Sequence, residues 1–233
     1  YDELVSKGNC KEAFAVIRKR FTDIATELGL SLDINSVLDK TEKEIEERKS
    51  AEFTALRGEY LAAIVTAEYL GFEFADAADM VRFDSEGKLN EDYTDDKVKT
   101  RLKNVKNAVI PGFYGKNSDG EIKTFSRGGS DITGSVIARG VKADLYENWT
   151  DVSGFLVCDP RIVPECKPIR QITYKELREL SYMGASVLHA EAIFPVMRGK
   201  IPINIRNTFK PQEEGTMIVP NERYSVENGS VIT

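Results

Sequence analysis

No basic block occurs anywhere in this chain, in which 38 Asp and Glu outnumber 32 Lys and Arg for a formal net charge of -6. Nucleic-acid affinity rests on clustered Lys and Arg that neutralise phosphates, so nucleic acid is not expected as the main partner. Histidine is nearly absent, His189 being the single one. The usual serine and cysteine hydrolases need a histidine beside their nucleophile. His189 stands instead at the start of an apolar helix, where capping or packing is the ordinary role. Cys10, Cys158 and Cys166 are odd in number and lack metal-ligand spacing, which suits a reducing cytoplasm. No apolar run approaches the roughly 20 residues of a membrane-spanning helix, and no signal-peptide pattern opens the chain. A cytoplasmic location is therefore expected, with no membrane partner and no metal-ligand set. What remains is 233 residues, enough to bury a full core. The chain starts at Tyr1 and enters a helix almost at once, which reads as a piece of something longer.

Apolar spacing predicts a helical first third. Phe14, Ile17, Phe21, Ile24, Ala25 and Leu28 recur at helical intervals over 10–28, ending at Gly29. A second helix is expected over 34–49, with the charged run 42–49 as a solvated face. A third runs over 50–70 with Gly58 inside it. Glycine in mid-helix costs about 1 kcal/mol relative to alanine, so a kink or a close backbone approach is expected there. Beyond Gly71, strands are predicted at 72–75, 80–83, 108–111, 121–125, 143–148, 203–205 and 216–219. Helices are predicted at 95–104, 132–139, 174–183 and 189–197, and turns at 112–115 and 117–120. This alternation predicts an α/β domain with a largely parallel sheet.

The most informative stretch is Phe125-Ser126-Arg127-Gly128-Gly129-Ser130-Asp131-Ile132-Thr133-Gly134, a strand running through a Gly-Gly turn into a helix. Gly128 and Gly129 can take backbone angles that a β-carbon forbids, letting amide N–H groups converge on one anion. The helix dipole adds positive potential at the same spot. Arg127 offers a planar fork for a carboxylate or phosphate, and Asp131 can hold an ammonium. One turn thus displays complements to both ends of an amino-acid zwitterion. Downstream, Trp149-Thr150-Asp151-Val152-Ser153-Gly154 follows a strand, and Asp159-Pro160-Arg161 comes shortly after. Ligands gather at the carboxyl ends of strands in open α/β sheets. There Thr150 and Asp151 could take nucleotide hydroxyls or amines and Arg161 phosphate charge; an Asp-containing turn with a surface Arg is the plainer reading. The glycines lack the spacing of a Gly-x-Gly-x-x-Gly dinucleotide loop, and a Gly-Lys-Ser/Thr loop is absent. Glu59, read alone, is a solvated helix carboxylate.

Taken together these residues resemble the catalytic domain of the aspartate kinases, in the amino-acid kinase superfamily. The motifs come in order: Arg57-Gly58-Glu59, Pro111-Gly112-Phe113, Ser126 to Asp131, Trp149 to Val152 with Gly154, Asp159-Pro160-Arg161, and Gly184-Ala185 with Val187-Leu188-His189. The resemblance implies a three-layer α/β/α sandwich with a central, mainly parallel sheet, incomplete at its N-terminus. It implies phosphorylation of the L-aspartate side chain by ATP with magnesium, the first step toward lysine, methionine and threonine. Arg127 would clamp the α-carboxylate, Glu59 and Asp131 would hold the α-ammonium, and the Phe113 backbone would border the reacting carboxylate. Around the nucleotide the resemblance sets Gly128, Gly129, Ser130, Thr150, Asp151, Leu156, Asp159, Arg161 and Ser186, with no metal ligand assigned. Leu156 replaces a common aromatic, and Ser186 stands where many relatives carry lysine. The family's opening strand and Lys-Phe-Gly-Gly loop, whose lysine touches the transferring phosphate, are missing, so the chain alone is expected to be weak or inactive. Residues 1–219 would be the catalytic domain and 220–233 a linker toward C-terminal ACT domains. Through those domains lysine or threonine would act, on a homo-oligomer. Two alternatives stay open: a glutamate or acetylglutamate kinase of the same fold, and a non-catalytic nucleotide-binding module. The glycine at 58 would let its helix pass close to the substrate.

Overall fold

The computed structural model describes residues 1–125, 128–158, 162–163, 165–182 and 190–223. Two compact units divide the chain, Tyr1–Phe125 and Ser126–Thr233.

The first unit is built on helices α1 (Asp2–Lys7), α2 (Lys11–Glu27), α3 (Ile34–Arg48) and α4 (Ala51–Leu70). Their starts follow from local chemistry. Asp33 and Ser50 cap α3 and α4, accepting the backbone N–H of Ser36 and Phe53, which satisfies donors the first turn leaves open. α2 has no such side-chain cap of its own. Glu3 of α1 serves instead, accepting from the N–H of Ala13 at 2.6 Å and of Glu12 at 3.2 Å. The apolar stripes then close on one another: Phe14, Leu38, Ile45, Phe53 and Leu61 form one buried cluster. The charged run at 42–49 is less solvated than expected. Glu42 pairs with Arg18 at 2.8 Å, Glu44 faces Arg57 at 3.7 Å, and Glu46 accepts from the Cys10 N–H at 3.3 Å.

Beyond α4 the unit adds β1 (Glu73–Phe74), α5 (Glu91–Leu102), β2 (Ala108–Val109), β3 (Tyr114–Lys116) and β4 (Ile122–Thr124). β1 and β2 pair in parallel, and β3 and β4 form an antiparallel hairpin. The strand expected at 80–83 is reduced to isolated bridges at Arg82 and Phe83. Asp76 caps a single 3-10 turn at Ala77–Asp79, which uses up the backbone ahead of it. The expected turn at 112–115 is shorter, because Tyr114 and Gly115 already lie in β3 and only Phe113 takes a left-handed angle, φ 62°. A Cβ at Gly115 would lie 2.5 Å from the Val81 carbonyl oxygen, so only glycine lets these segments pair.

The second unit contains α6 (Gly129–Val141), β5 (Tyr146–Thr150), β6 (Gln171–Thr173), α7 (Tyr174–Tyr182), α8 (Ala190–Arg198), β7 (Ile203–Asn207) and β8 (Thr216–Val219). The strands form one sheet in the order β5-β7-β8-β6. β5–β7 and β6–β8 pair in parallel and β7–β8 antiparallel, so the sheet is mixed with parallel pairing in the majority. Ile203, Ile205, Ile172 and Ile218 are fully buried in it. α6 packs against α8 and β5. The strand β6 had no expectation from sequence; its three residues are too few to show a period.

Leu38 is fully buried at the centre of the first unit's cluster. Leu38→Ala is expected to cost about 3 kcal/mol, from lost burial plus a residual cavity, read as a lower urea midpoint at unchanged m-value.

Candidate functional site

In the first unit, α4 carries Arg57, Gly58 and Glu59. Glu59 is exposed, and so is Gly58. A Cβ at Gly58 would meet nothing within 4 Å, so the close protein approach expected there is not found; the helix shows open space at that point. Arg57 turns inward. It is buried, with its guanidinium 4.1 Å from the Phe53 ring centre and 4.2 Å from that of Tyr60. Its Nε has no hydrogen-bond partner, and burial pulls its pKa below the usual arginine range. The left-handed Phe113 is pinned from both sides. Its carbonyl accepts the Phe125 N–H at 2.9 Å, and its neighbour Tyr114 is fully buried and donates to Asp76 at 2.7 Å. Burial, then the Asp76 charge, drives the Tyr114 pKa far upward, so the phenol stays a donor.

In the second unit, Gly128 has φ 58° in the left-handed region and Gly129 opens α6. The helix therefore begins three residues before the expected Ile132. Its first N–H groups have no partner within the helix, and no side chain caps them at Gly128. Asp131 lies in this first turn. Its Oδ1 accepts from Asn148 Nδ2 at 2.8 Å, and its backbone carbonyl accepts from the Tyr146 hydroxyl at 3.2 Å. Ser126 and Arg127 lie outside the described residues.

β5 ends at Thr150, two residues beyond Asn148, and leads into the second predicted loop. Thr150 donates to the Asp151 carboxylate at 3.3 Å. Asn207, at the end of β7, donates to the Ser153 hydroxyl at 2.9 Å and to the Asp151 carbonyl at 3.4 Å. Hydrogen bonding from Ser153 holds the Glu213 carboxyl below its ordinary value. Gly154 has φ 98°, and a Cβ there would collide with Thr216. The buried Thr216 hydroxyl accepts the Phe155 N–H at 2.9 Å and donates to the Ile169 carbonyl at 2.6 Å. Leu156 is half exposed and bridges Pro168. Cys158 and Cys166 are joined in a disulfide at the neck of this segment, which departs from the expectation of thiols in a reducing compartment. Asp159, Pro160, Arg161, Ser186 and His189 lie outside the described residues.

Among the described residues the one group able to hold a metal is Cys10, Glu42 and Glu46. Sequence spacing hid it, since α2 and α3 bring it together. Burial, then the Glu46 and Glu42 charges, raises the Cys10 thiol, and Glu42 already pairs with Arg18. A cavity of about 550 Å³ in the second unit is lined by Tyr174, Ile193, Phe194, Met197 and Pro220 among others, and shares no residue with the predicted sites.

Sequence reasoning thus singled out Asp131, Thr150 and Asp151 and missed Asn148, which holds Asp131, and Asn207, which holds the Asp151 carbonyl, along with Glu213 and Thr216, which bond Ser153 and Phe155 further along the loop. Asn148 sits two residues before the Thr-Asp pair on the same strand face, a signal that was available.

The description of the amino acid kinase family matches residues 14–207. Aspartokinase 3 of Bacillus subtilis is 49% identical over 124 residues, covering 53% of this chain and 27% of that protein. The crystal structure of Clostridium acetobutylicum aspartate kinase superposes with a TM-score of 0.86 at 52% identity, covering 92% of this chain and 49% of that one. E. coli aspartokinase III in complex with aspartate and ADP gives a TM-score of 0.76 at 24% identity, covering 90% of this chain and 52% of that one. The chain thus spans about half the length of these solved structures.

Thr216→Val keeps the side-chain shape and removes both hydrogen bonds of the hydroxyl. It is expected to cost about 1–3 kcal/mol, because the Phe155 N–H is left buried and unpaired, and to weaken the loop from Thr150 to Leu156. Thermal denaturation checks the first effect, and faster amide hydrogen exchange over residues 150–156 the second.

Proposed function

Because this chain belongs to the amino acid kinase family, we propose that the protein carrying it transfers the γ-phosphoryl group of ATP to the side-chain carboxylate of L-aspartate. The products are 4-phospho-L-aspartate and ADP. The observation that carries the reading is a carboxylate fixed at a helix start: Asp131 stands in the first turn of α6, behind the left-handed Gly128, and is gripped by Asn148. A carboxylate there can take an ammonium, while the N–H groups of the first turn beside it can take a phosphate. A free amino acid and the phosphoryl group it receives need both at one turn.

In this mechanism Asp131 holds the α-ammonium, Arg127 clamps the α-carboxylate, and Glu59 adds negative charge for the ammonium. The Phe113 backbone borders the reacting carboxylate. The nucleophile is ionised at neutral pH, so no general base is required. One carboxylate oxygen attacks the γ-phosphorus in line, and the bond from phosphorus to the ADP oxygen breaks. The work left to the protein is alignment and neutralisation of charge. Gly128, Gly129 and Ser130 offer amides to the phosphates, and Thr150, Asp151, Leu156, Asp159, Arg161 and Ser186 surround the nucleotide. Magnesium bound with ATP would neutralise phosphate charge.

The same proposal places the reaction at the head of lysine, methionine and threonine synthesis in the cytoplasm. The protein would act as a homo-oligomer with lysine or threonine as effector.

Hydroxylamine traps acyl phosphates as hydroxamates, which gives a direct test with Mg-ATP and L-aspartate, L-glutamate or N-acetylglutamate on the native-length protein. Hydroxamate with aspartate alone is the expected result; a glutamate or N-acetylglutamate product, or none from a folded protein that binds ATP, overturns the reading. Arg127→Ala is expected to raise the aspartate KM tenfold or more, on the order of one charged hydrogen-bonded contact, with the ATP KM nearly unchanged.

A further inference from the structure

We propose that Asn148 is a positioning residue for Asp131 and so sets affinity for the α-ammonium of the substrate; this rests on the function proposed above. Asn148 is 8% exposed on β5, where its register partner on β7 is Ile205. Its Nδ2 donates to Asp131 Oδ1 at 2.8 Å and to the Tyr146 hydroxyl oxygen at 3.2 Å. Two facts fix which end of the amide faces these partners. The Tyr146 hydroxyl is already committed as donor to the Asp131 carbonyl, and an ionised carboxylate only accepts. Both partners therefore require the NH₂ group. Burial raises the Tyr146 pKa, so the phenol keeps the proton that imposes this direction.

The arrangement is rigid because β5 is a packed strand. Residues 146 and 148 lie on one strand face, toward α6. Gly134 lets the tyrosine come close, since a Cβ there would lie 2.7 Å from its hydroxyl oxygen. One Asp131 oxygen is thereby held in place, and among the described residues its other oxygen accepts no hydrogen bond. The titratable groups facing Asn148 are Asp131 from α6 and Tyr146 from its own strand.

Two variants of the native-length protein test this, with aspartate and ATP kinetics measured beside wild type. Asn148→Leu removes the donor. It is expected to raise the aspartate KM roughly tenfold or more, as for a hydrogen bond to a charged group, with the ATP KM within about twofold of wild type. Asn148→Asp is nearly isosteric and adds a switch. Two carboxylates this close do not both ionise easily. While position 148 keeps its proton, the hydroxyl donates to Asp131 as the amide does; once ionised it only repels. The aspartate KM of this variant is expected to match wild type near pH 6 and to climb steeply toward pH 9, while wild type climbs less. An unchanged aspartate KM in the leucine variant, equal rises in both KM values, or a flat pH profile in the aspartate variant each overturns the inference. A wild type that makes no aspartate-dependent product overturns the parent reading instead, and the inference falls with it.

Discussion

A buried polar group must find a partner, and in this chain that constraint fixes the loops to the scaffold. Leaving such a group unpaired costs about 1–3 kcal/mol, and three buried hydroxyls and amides act here as clamps. Thr216 ties Phe155 to Ile169. Tyr114 ties the Phe113 turn to Asp76. Asn207 ties Ser153 to the end of β7. None of these side chains is charged, and each joins segments far apart in sequence. Arg57 departs from this pattern: its Nε lacks a hydrogen-bond partner, and two aromatic faces stand beside it. Their negative π-faces favour the cation and offset part of the cost of burying it.

β5 concentrates the consequences. Strand alternation sends Tyr146, Asn148 and Thr150 to one face and Glu147 and Trp149 to the other. The first set reaches α6 and Asp131 and ends at the Thr150 loop. The second meets Arg206, which lies 4.8 Å from the Trp149 ring and 3.3 Å from Glu147. The proposed ammonium-binding carboxylate and the proposed nucleotide loop are thus positioned by one five-residue strand. Parallel pairing with β7 holds that strand along its whole length.

The helices α2, α3 and α4 were legible to within one or two residues from apolar spacing, helped by a glycine shortly after α2 and α4 and by Ser50 ahead of α4. Of the candidate site, the local geometry was legible, as in the left-handed Gly128 ahead of a helix with Asp131 in its first turn. Contacts between distant positions escaped. No periodicity reveals that Glu3 caps α2, that Glu46 meets Cys10, or that Thr216 lies under Gly154. The strand expected at 80–83 failed for a related reason. Its apolar residues are buried, but the capped turn at Ala77–Asp79 fixes their backbone, and burial alone does not make a strand.

The proposed phosphoryl transfer between a carboxylate and ATP would bring two anions together, and an overall charge of -6 looks ill suited to it. Range resolves the conflict. At physiological salt, exposed charges are screened over about 8 Å, so scattered surface carboxylates act weakly beyond that distance. Backbone N–H groups at the start of α6 act at hydrogen-bond distance, and their potential comes from peptide dipoles that carry no formal charge. A left-handed glycine exposes them without placing a side chain in the way. An acidic protein can in this way present a local anion site, and Asp131 in the same turn adds the opposite preference a few ångströms away. The proposed site then asks for one turn of backbone to meet a phosphate and one carboxylate to meet an ammonium, provided that carboxylate cannot swing toward the amides beside it. The grip of Asn148 on its Oδ1 opposes that collapse.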